Sequence, residues 1–204
     1  MRTITLSIKT ILKRVYGFIY IKLLPILVHP PYISYKGSLY TFHRTSIIRF
    51  LESWQDDIHG NVLDVGVGTW GYPRSLFEDK CTYTATDCFK NQNIDTVSDI
   101  HFLTDVFAQN YYDFVICTDV LEHISQPWKA VCQLFAVLKP GGTLLLTMPF
   151  NLHLHETKTV GDYWRISADG INQLLINIAG FHHVNISAIG NPEFPFGYTV
   201  VARK

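Results

Sequence analysis

Four carboxylates, Asp64, Asp87, Asp99 and Asp119, each stand at or near the end of an apolar run in this 204-residue chain. The first sits in NVLDVGVGTWG, residues 61–71, where the apolar run breaks into Gly66, Gly68 and Gly71. Such a strand that stops and turns into a helix cradles a nucleotide-like ligand: glycine reaches backbone angles closed to other residues and lets a ligand lie against the main chain. The following helix, from about Tyr72, presents free N–H groups at its start. A dinucleotide and S-adenosylmethionine compete for this turn. Asp64 favours the second, because a carboxylate there repels a pyrophosphate but holds the ammonium of a methionine moiety, directly or through water. Asp87 lies about 20 residues past the glycines, where this kind of fold delivers a carboxylate to a ribose diol. Asp99, followed by apolar Ile100, is placed to accept from an adenine amino group or to cap the next helix.

Asp119, Glu122 and His123 follow a buried strand within YDFVICTDVLEHI (112–124), and ligands in open parallel sheets sit outside the carboxyl ends of the strands. The stretch 149–166, PFNLHLHETKTVGDYWRI, is unusually dense in His, acidic, aromatic and Arg groups for a connector. His123, His153 and His155 are the available general bases, since histidine titrates near neutrality. Tyr163 and Trp164 offer ring faces to a sugar or ring. Arg165 either binds an acceptor or pairs with Asp162 to anchor the loop.

The elements that position these groups alternate. A helix over 38–58 turns Leu39, Phe42, Ile47, Ile48, Leu51 and Trp54 inward. Strands are predicted at 81–87, 94–100, 114–117 and 143–150, with helices from 131 to Lys139 and over 171–180. Two last strands, 182–189 and 197–203, close the chain. Strands alternating with helices until a final strand pair predict a doubly wound, mostly parallel sheet.

Residues 1–30 stand apart. Their charges, Arg2, Lys9, Lys13, Arg14 and Lys22, are all positive. Ile4, Ile8, Ile11, Leu12, Val15, Phe18, Ile19 and Leu23 share one helical stripe. A basic amphipathic helix of this kind lies on an anionic membrane surface or packs on this domain or on a second subunit. Charges interrupt every apolar run, so no segment nears the roughly 20 residues needed to span a bilayer. No small-residue cleavage site follows, which argues against a secretory signal. The expected organisation is an extension over 1–37 and one domain over 38–204.

Seventeen basic and seventeen acidic residues cancel, which gives no support for nucleic-acid binding. Cys81, Cys88, Cys117 and Cys132 form no C-x-x-C pair and signal neither a metal site nor a disulfide framework, in keeping with a reducing cytoplasm.

Taken together, VLDVGVGTWG, the acid of TATD, VSDI, DVLEHI, LKPGG before a strand and DYWRIS resemble class I S-adenosylmethionine-dependent methyltransferases, most nearly the methyltransferase type 11 group. The likeness spans residues 60–203. It implies a Rossmann-like seven-stranded sheet with the last strand antiparallel. It also implies Asp64, Gly66 and Gly68 at the methionine end of the cofactor, Asp87 at the ribose, Asp99 and Ile100 at adenine, and Asp119 beside the sulfonium. Trp70 departs from the group by placing a bulky ring where relatives carry small residues. The function expected is methyl transfer, O-directed, to a small molecule, saccharide or lipid-linked intermediate, with His123, His155 and Asp119 as catalytic residues and Tyr163, Trp164 and Arg165 binding the acceptor. The absence of an N/D-P-P-Y segment after the fourth strand disfavours methylation of nucleic-acid bases. The competing readings are a nicotinamide oxidoreductase, resting on the glycines, and a non-catalytic cofactor-fold module.

Overall fold

A computed structural model describes residues 32–154 and 160–204, together with Lys13, Val15 and Tyr16. Seven strands form the central sheet: β3 (Asn61–Val65), β4 (Thr82–Asp87), β5 (Thr96–Val97), β6 (Tyr112–Thr118), β7 (Leu138–Pro149), β8 (His182–Asn191) and β9 (Phe194–Arg203). Their order is β5-β4-β3-β6-β7-β9-β8. β9 runs antiparallel to both of its neighbours, β7 and β8, while β3, β4, β5, β6 and β7 pair in parallel. This is the expected mostly parallel sheet, with the antiparallel strand inserted next to the edge.

Side-chain alternation along the buried strands divides the core in two. Val62 and Ile116 pack with Ile47 and Leu51 of helix α1 (Phe42–Glu52) and Phe77 of helix α2 (Tyr72–Phe77). Leu63, Val65 and Val115 face the other way, onto Val131 and Leu134 of helix α3 (Pro127–Val137) and Ile171 of helix α4 (Ala168–Asn172). Each face of the sheet is therefore dry, which is why its strands read as apolar runs.

Several boundaries differ from expectation. Residues 38–41 are not helical: β1 (Tyr32–Tyr35) and β2 (Ser38–Thr41) form a hairpin, and α1 starts only after Thr41, whose hydroxyl caps Arg44 N–H. Lys36 and Gly37 both adopt positive φ, the backbone of a tight hairpin turn. Leu39 consequently projects to solvent, 67% exposed, instead of inward. The hairpin runs across the boundary drawn at residue 37. The strand expected over 94–100 is only Thr96–Val97, because Asp99 instead caps a 3₁₀ turn at Ile100–Asp105. Helix α3 begins four residues earlier than expected, at Pro127, and yields to β7 at Leu138, so Lys139 and Pro140 belong to the strand. Pro140 sits beyond the stretch where its missing N–H would matter to a helix. The helix over 171–180 continues α4 as a π-helical segment, Gln173–Ala179, ended by Gly180 at φ 90°. The amphipathic helix expected over residues 1–30 falls outside the described residues except at Lys13, Val15 and Tyr16, of which only Val15 belongs to the apolar stripe.

Candidate active site

β3 is followed by β4 and β5 on one side of the sheet and by β6 and β7 on the other, so the strand order switches direction between β3 and β6. Carboxyl ends of strands at such a switch point leave a crevice. There the chain has a cleft of about 930 Å³, lined among others by Gly66, Gly68, Asp87, Asp99, Asp119 and His123.

The glycine turn forms its floor. Gly66 sits at φ 78°, and a Cβ there would lie 2.4 Å from Val120, so only glycine lets β3 end against that side chain. Gly68, at φ 56°, faces open space with no atom within 4 Å of where a Cβ would stand. It therefore bares its main chain to the cleft. Its N–H donates to Asp87 Oδ2 at 2.9 Å, while Phe89 N–H donates to Asp87 Oδ1 at 3.0 Å. Asp87 is thus fixed in orientation, with lone pairs left for a ligand hydroxyl. Farther along the wall, Asp99 Oδ1 accepts from both the main-chain N–H and the ring Nδ1 of His101, at 2.8 and 2.7 Å. Burial works against its charge, but those bonds and Lys129 outweigh it and hold Asp99 below the usual carboxylate range. Ile100 lines the cleft beside it, and His101 Nε2 is buried without a partner among the described residues.

Asp119 lies at the other end. Its backbone is left-handed, φ 52°, an uncommon state for a residue with a side chain. Thr147 holds it there, donating its hydroxyl to Asp119 Oδ1 at 2.7 Å and accepting Asp119 N–H at 3.0 Å. His43 Nε2 takes Oδ2 at 2.9 Å. Burial raises the affinity of Asp119 for a proton, yet His43, Arg44 and Thr147 prevail and keep the carboxyl below its ordinary range. His123 lines the same end, and its Nδ1 donates to the Gly161 carbonyl at 2.5 Å, which leaves Nε2 as the basic nitrogen of the neutral ring. Glu122, fully buried, stands 3.7 Å from that Nε2, and burial followed by the nearby Asp119 pushes its carboxyl well up.

Three expected site residues do not reach the cleft. Asp64 is 1% exposed and turns to the face of α1 and α2, where it accepts the Tyr83 hydroxyl. Burial pushes it up to about 7. The alternation of β3 dictates this, since Asp64 shares a face with Val62, not with Val65, which lines the cleft. Trp164 gives its ring N–H to the Ile124 carbonyl and packs edge-on against Trp128. Arg165 makes a two-pronged pair with Asp162, at 2.5 and 2.7 Å, and adds the Trp164 and His153 carbonyls, so it anchors the loop. Of the acceptor trio, only Tyr163 lines the cleft. His155 falls outside the described residues. Trp70 does not plug the site: it stacks on Tyr72 at 5.3 Å, with the Arg44 guanidinium 4.2 Å from its ring centre.

His43 and Arg44 line the cleft and were not singled out by the sequence. Their signal is an H-R pair at the start of an amphipathic helix just before the first sheet strand. That signal acquires meaning only once α1 is docked.

A family model described as "Methyltransferase domain" matches residues 38–179. No curated protein matches the chain. Among solved structures, Burkholderia thailandensis 1,6-didemethyltoxoflavin-N1-methyltransferase, crystallised with S-adenosylhomocysteine, is 15% identical, covers 100% of this chain and 93% of its own, and gives a TM-score of 0.60. Haemonchus contortus phosphoethanolamine N-methyltransferase 2, in complex with S-adenosyl-L-methionine, is 15% identical over 92% of this chain and 59% of its own, TM-score 0.60. The carbon methyltransferase CurJ is 18% identical over 70% of this chain, TM-score 0.54, and this chain spans about half of its length, 48%. Likeness at such identities shows the shared fold; the family model carries the assignment. The residues present also suit the cofactor of that family: a bare glycine floor, an oriented carboxylate at the end of β4, and an unpartnered ring nitrogen in the wall. The choice the glycine turn left open between a dinucleotide and a sulfonium nucleoside is thereby closed, and the chain belongs to the methyltransferase-domain family as a class I S-adenosylmethionine-dependent methyltransferase.

Proposed function

We propose that the enzyme transfers its methyl group to a hydroxyl of a small molecule or of a glycan- or lipid-linked intermediate. The observation that carries this reading is His123, a cleft-lining imidazole whose tautomer is set by the Gly161 carbonyl. Bound S-adenosylmethionine supplies a methyl carbon already activated by its sulfonium. Gly66 and Gly68 receive the methionine end against bare main chain, Asp87 accepts from the ribose diol, and Asp99 with Ile100 borders adenine. Asp64 acts from behind, bracing the end of β3 through Tyr83.

A neutral alcohol is a poor nucleophile, so its proton has to leave as the new C–O bond forms. His123 takes that proton on Nε2 and becomes an imidazolium, with the buried Glu122 carboxyl 3.7 Å away beside it. Asp119, held by His43 and Thr147, aligns the acceptor, and alignment within about 3–3.5 Å is the larger part of such catalysis. Tyr163, exposed at the rim, offers its ring face to the acceptor. N-methylation of an amine that loses its proton to solvent has no need of this base.

The test is methyl transfer from carbon-13-labelled S-adenosylmethionine to a panel of hydroxyl, amine and carbon acceptors, read by product NMR. An O-methyl product, with turnover falling about 100-fold or more in His123→Ala, is the expected result. An N- or C-methyl product, or full activity in His123→Ala, overturns the reading.

A further inference from the structure

The charge of this neutral chain is strongly segregated. Residues 1–51 hold eight basic residues and no acid, and Glu52 is the first carboxylate in the sequence. Residues 52–204 hold nine basic against seventeen acidic residues, so a +8 segment is joined to a −8 body. Asymmetry on this scale points to an anionic partner for the first part of the chain. The rest would be repelled by that partner, so the contact must be oriented.

Apolar side chains gather where this orientation would place them. The hairpin β1–β2 leads straight into α1, whose Phe42 ring meets Phe196 at 5.7 Å. The loop after β7 reaches the same place, with Phe150 and Asn151 N–H donating to the Phe196 carbonyl. On these three converging segments Leu39 is 67%, Phe194 52% and Leu154 73% exposed, and Tyr32 at the start of the hairpin is 67% exposed. They adjoin the mouth of the cleft: Thr41, two residues from Leu39, and Leu152, two from Leu154, both line it. Val15, a member of the apolar stripe, is 49% exposed.

We infer that the protein docks on an anionic lipid surface through residues 1–31 and this apolar rim, with the mouth of the cleft turned toward the bilayer. Basic residues supply attraction that falls with salt, and the exposed Leu and Phe side chains insert at the headgroup boundary. The arrangement follows from the charge and the rim and is independent of which atom accepts the methyl group.

Sedimentation of the full chain with vesicles is the test. Vesicles of 70% phosphatidylcholine and 30% phosphatidylglycerol should bind it at least tenfold more tightly than phosphatidylcholine alone in 0.1 M salt, with most of that advantage lost at 0.5 M. Lys9→Glu/Lys13→Glu/Arg14→Glu should abolish the preference. Leu39→Ser/Phe194→Ser, outside the site residues, should weaken binding several-fold while leaving S-adenosylhomocysteine affinity and the circular dichroism spectrum unchanged. No preference for anionic vesicles overturns the inference, as does a vesicle-inert dimer formed by the basic segment of one copy on the acidic body of another. Binding that ignores Leu39→Ser/Phe194→Ser overturns the orientation.

Discussion

His43 Nε2 lies 2.9 Å from Asp119 Oδ2, bringing together residues 76 apart in sequence, one on the helix before the sheet and one at the tip of its middle strand. The bond ties α1 to the floor of the reaction site. Asp119 is held below the ordinary carboxylate range although burial opposes its charge. A depressed carboxylate stabilises the fold above its unfolded pKa and loses that contribution as pH falls through the folded value. His43→Ala should therefore move acid unfolding to higher pH and cost about 1.5–3 kcal/mol at neutral pH. Turnover should fall while affinity for S-adenosylhomocysteine stays within about threefold, a difference of under 1 kcal/mol. Urea denaturation from pH 3 to 7, with calorimetric titration alongside, checks both. An unmoved acid limb would refute the coupling.

Asp87 is oriented by two main-chain N–H groups and faces the cleft. Asp87→Ala removes the carboxylate proposed to accept from the ribose and frees the Gly68 loop. The expected loss is about 2–3 kcal/mol, or roughly 30- to 150-fold in Kd for S-adenosylhomocysteine. Asp87→Asn, which keeps one acceptor oxygen, should lose less. Equal affinity in wild type and Asp87→Ala would remove Asp87 from the cofactor site.

Asp64 makes the opposite kind of prediction. Burial lifts its carboxyl to about 7, against about 3.9 for an unfolded Asp. Between those values the folded state keeps a proton that the unfolded state has released, so this group lowers stability progressively from about pH 4 to 7. Asp64→Asn cannot titrate and still accepts the Tyr83 hydroxyl. Its stability advantage over wild type should grow through that window and level off above it, with cofactor affinity retained. A difference that is flat with pH would show that Asp64 is charged in the fold.

The two turn glycines should fail differently. An alanine methyl at Gly66 meets Val120 at 2.4 Å on a left-handed backbone, at a cost of about 2–4 kcal/mol of stability. Gly68→Ala meets no atom and should cost about 1 kcal/mol of stability. Its methyl stands in the cleft, so it should weaken S-adenosylhomocysteine roughly tenfold, about 1.4 kcal/mol. Thermal melts and titration separate the two; identical behaviour would contradict the geometry of the turn.

The sheet was legible because its strands are dry on both faces and announce themselves as apolar runs. Gly66, Gly68, Asp87 and Asp119 all line the cleft because local sequence sets a strand tip. Asp64 was misplaced because a side chain's face depends on the pleat, and one step along β3 separates cleft from core. Trp164 and Arg165 look like binding groups by type, yet their partners, the Ile124 carbonyl and Asp162, satisfy them within the loop. The hairpin is hidden because Leu39 also fits the helical stripe that continues at Phe42, and only the Lys36–Gly37 turn betrays the strand pair. The H-R pair that contains His43 is a weak local signal, since its meaning comes from Asp119, far along the chain.

Glu52, at the end of α1, accepts the hydroxyls of Tyr35 and Tyr72 and the Lys36 ammonium, while Arg44 near the start of the same helix rests on Trp70. Helix and glycine turn are thus bolted together at two points a helix-length apart. That wall cannot swing without undoing both fastenings at once. Any widening of the cleft falls to the facing bank, where Leu152, Val160 and Tyr163 stand.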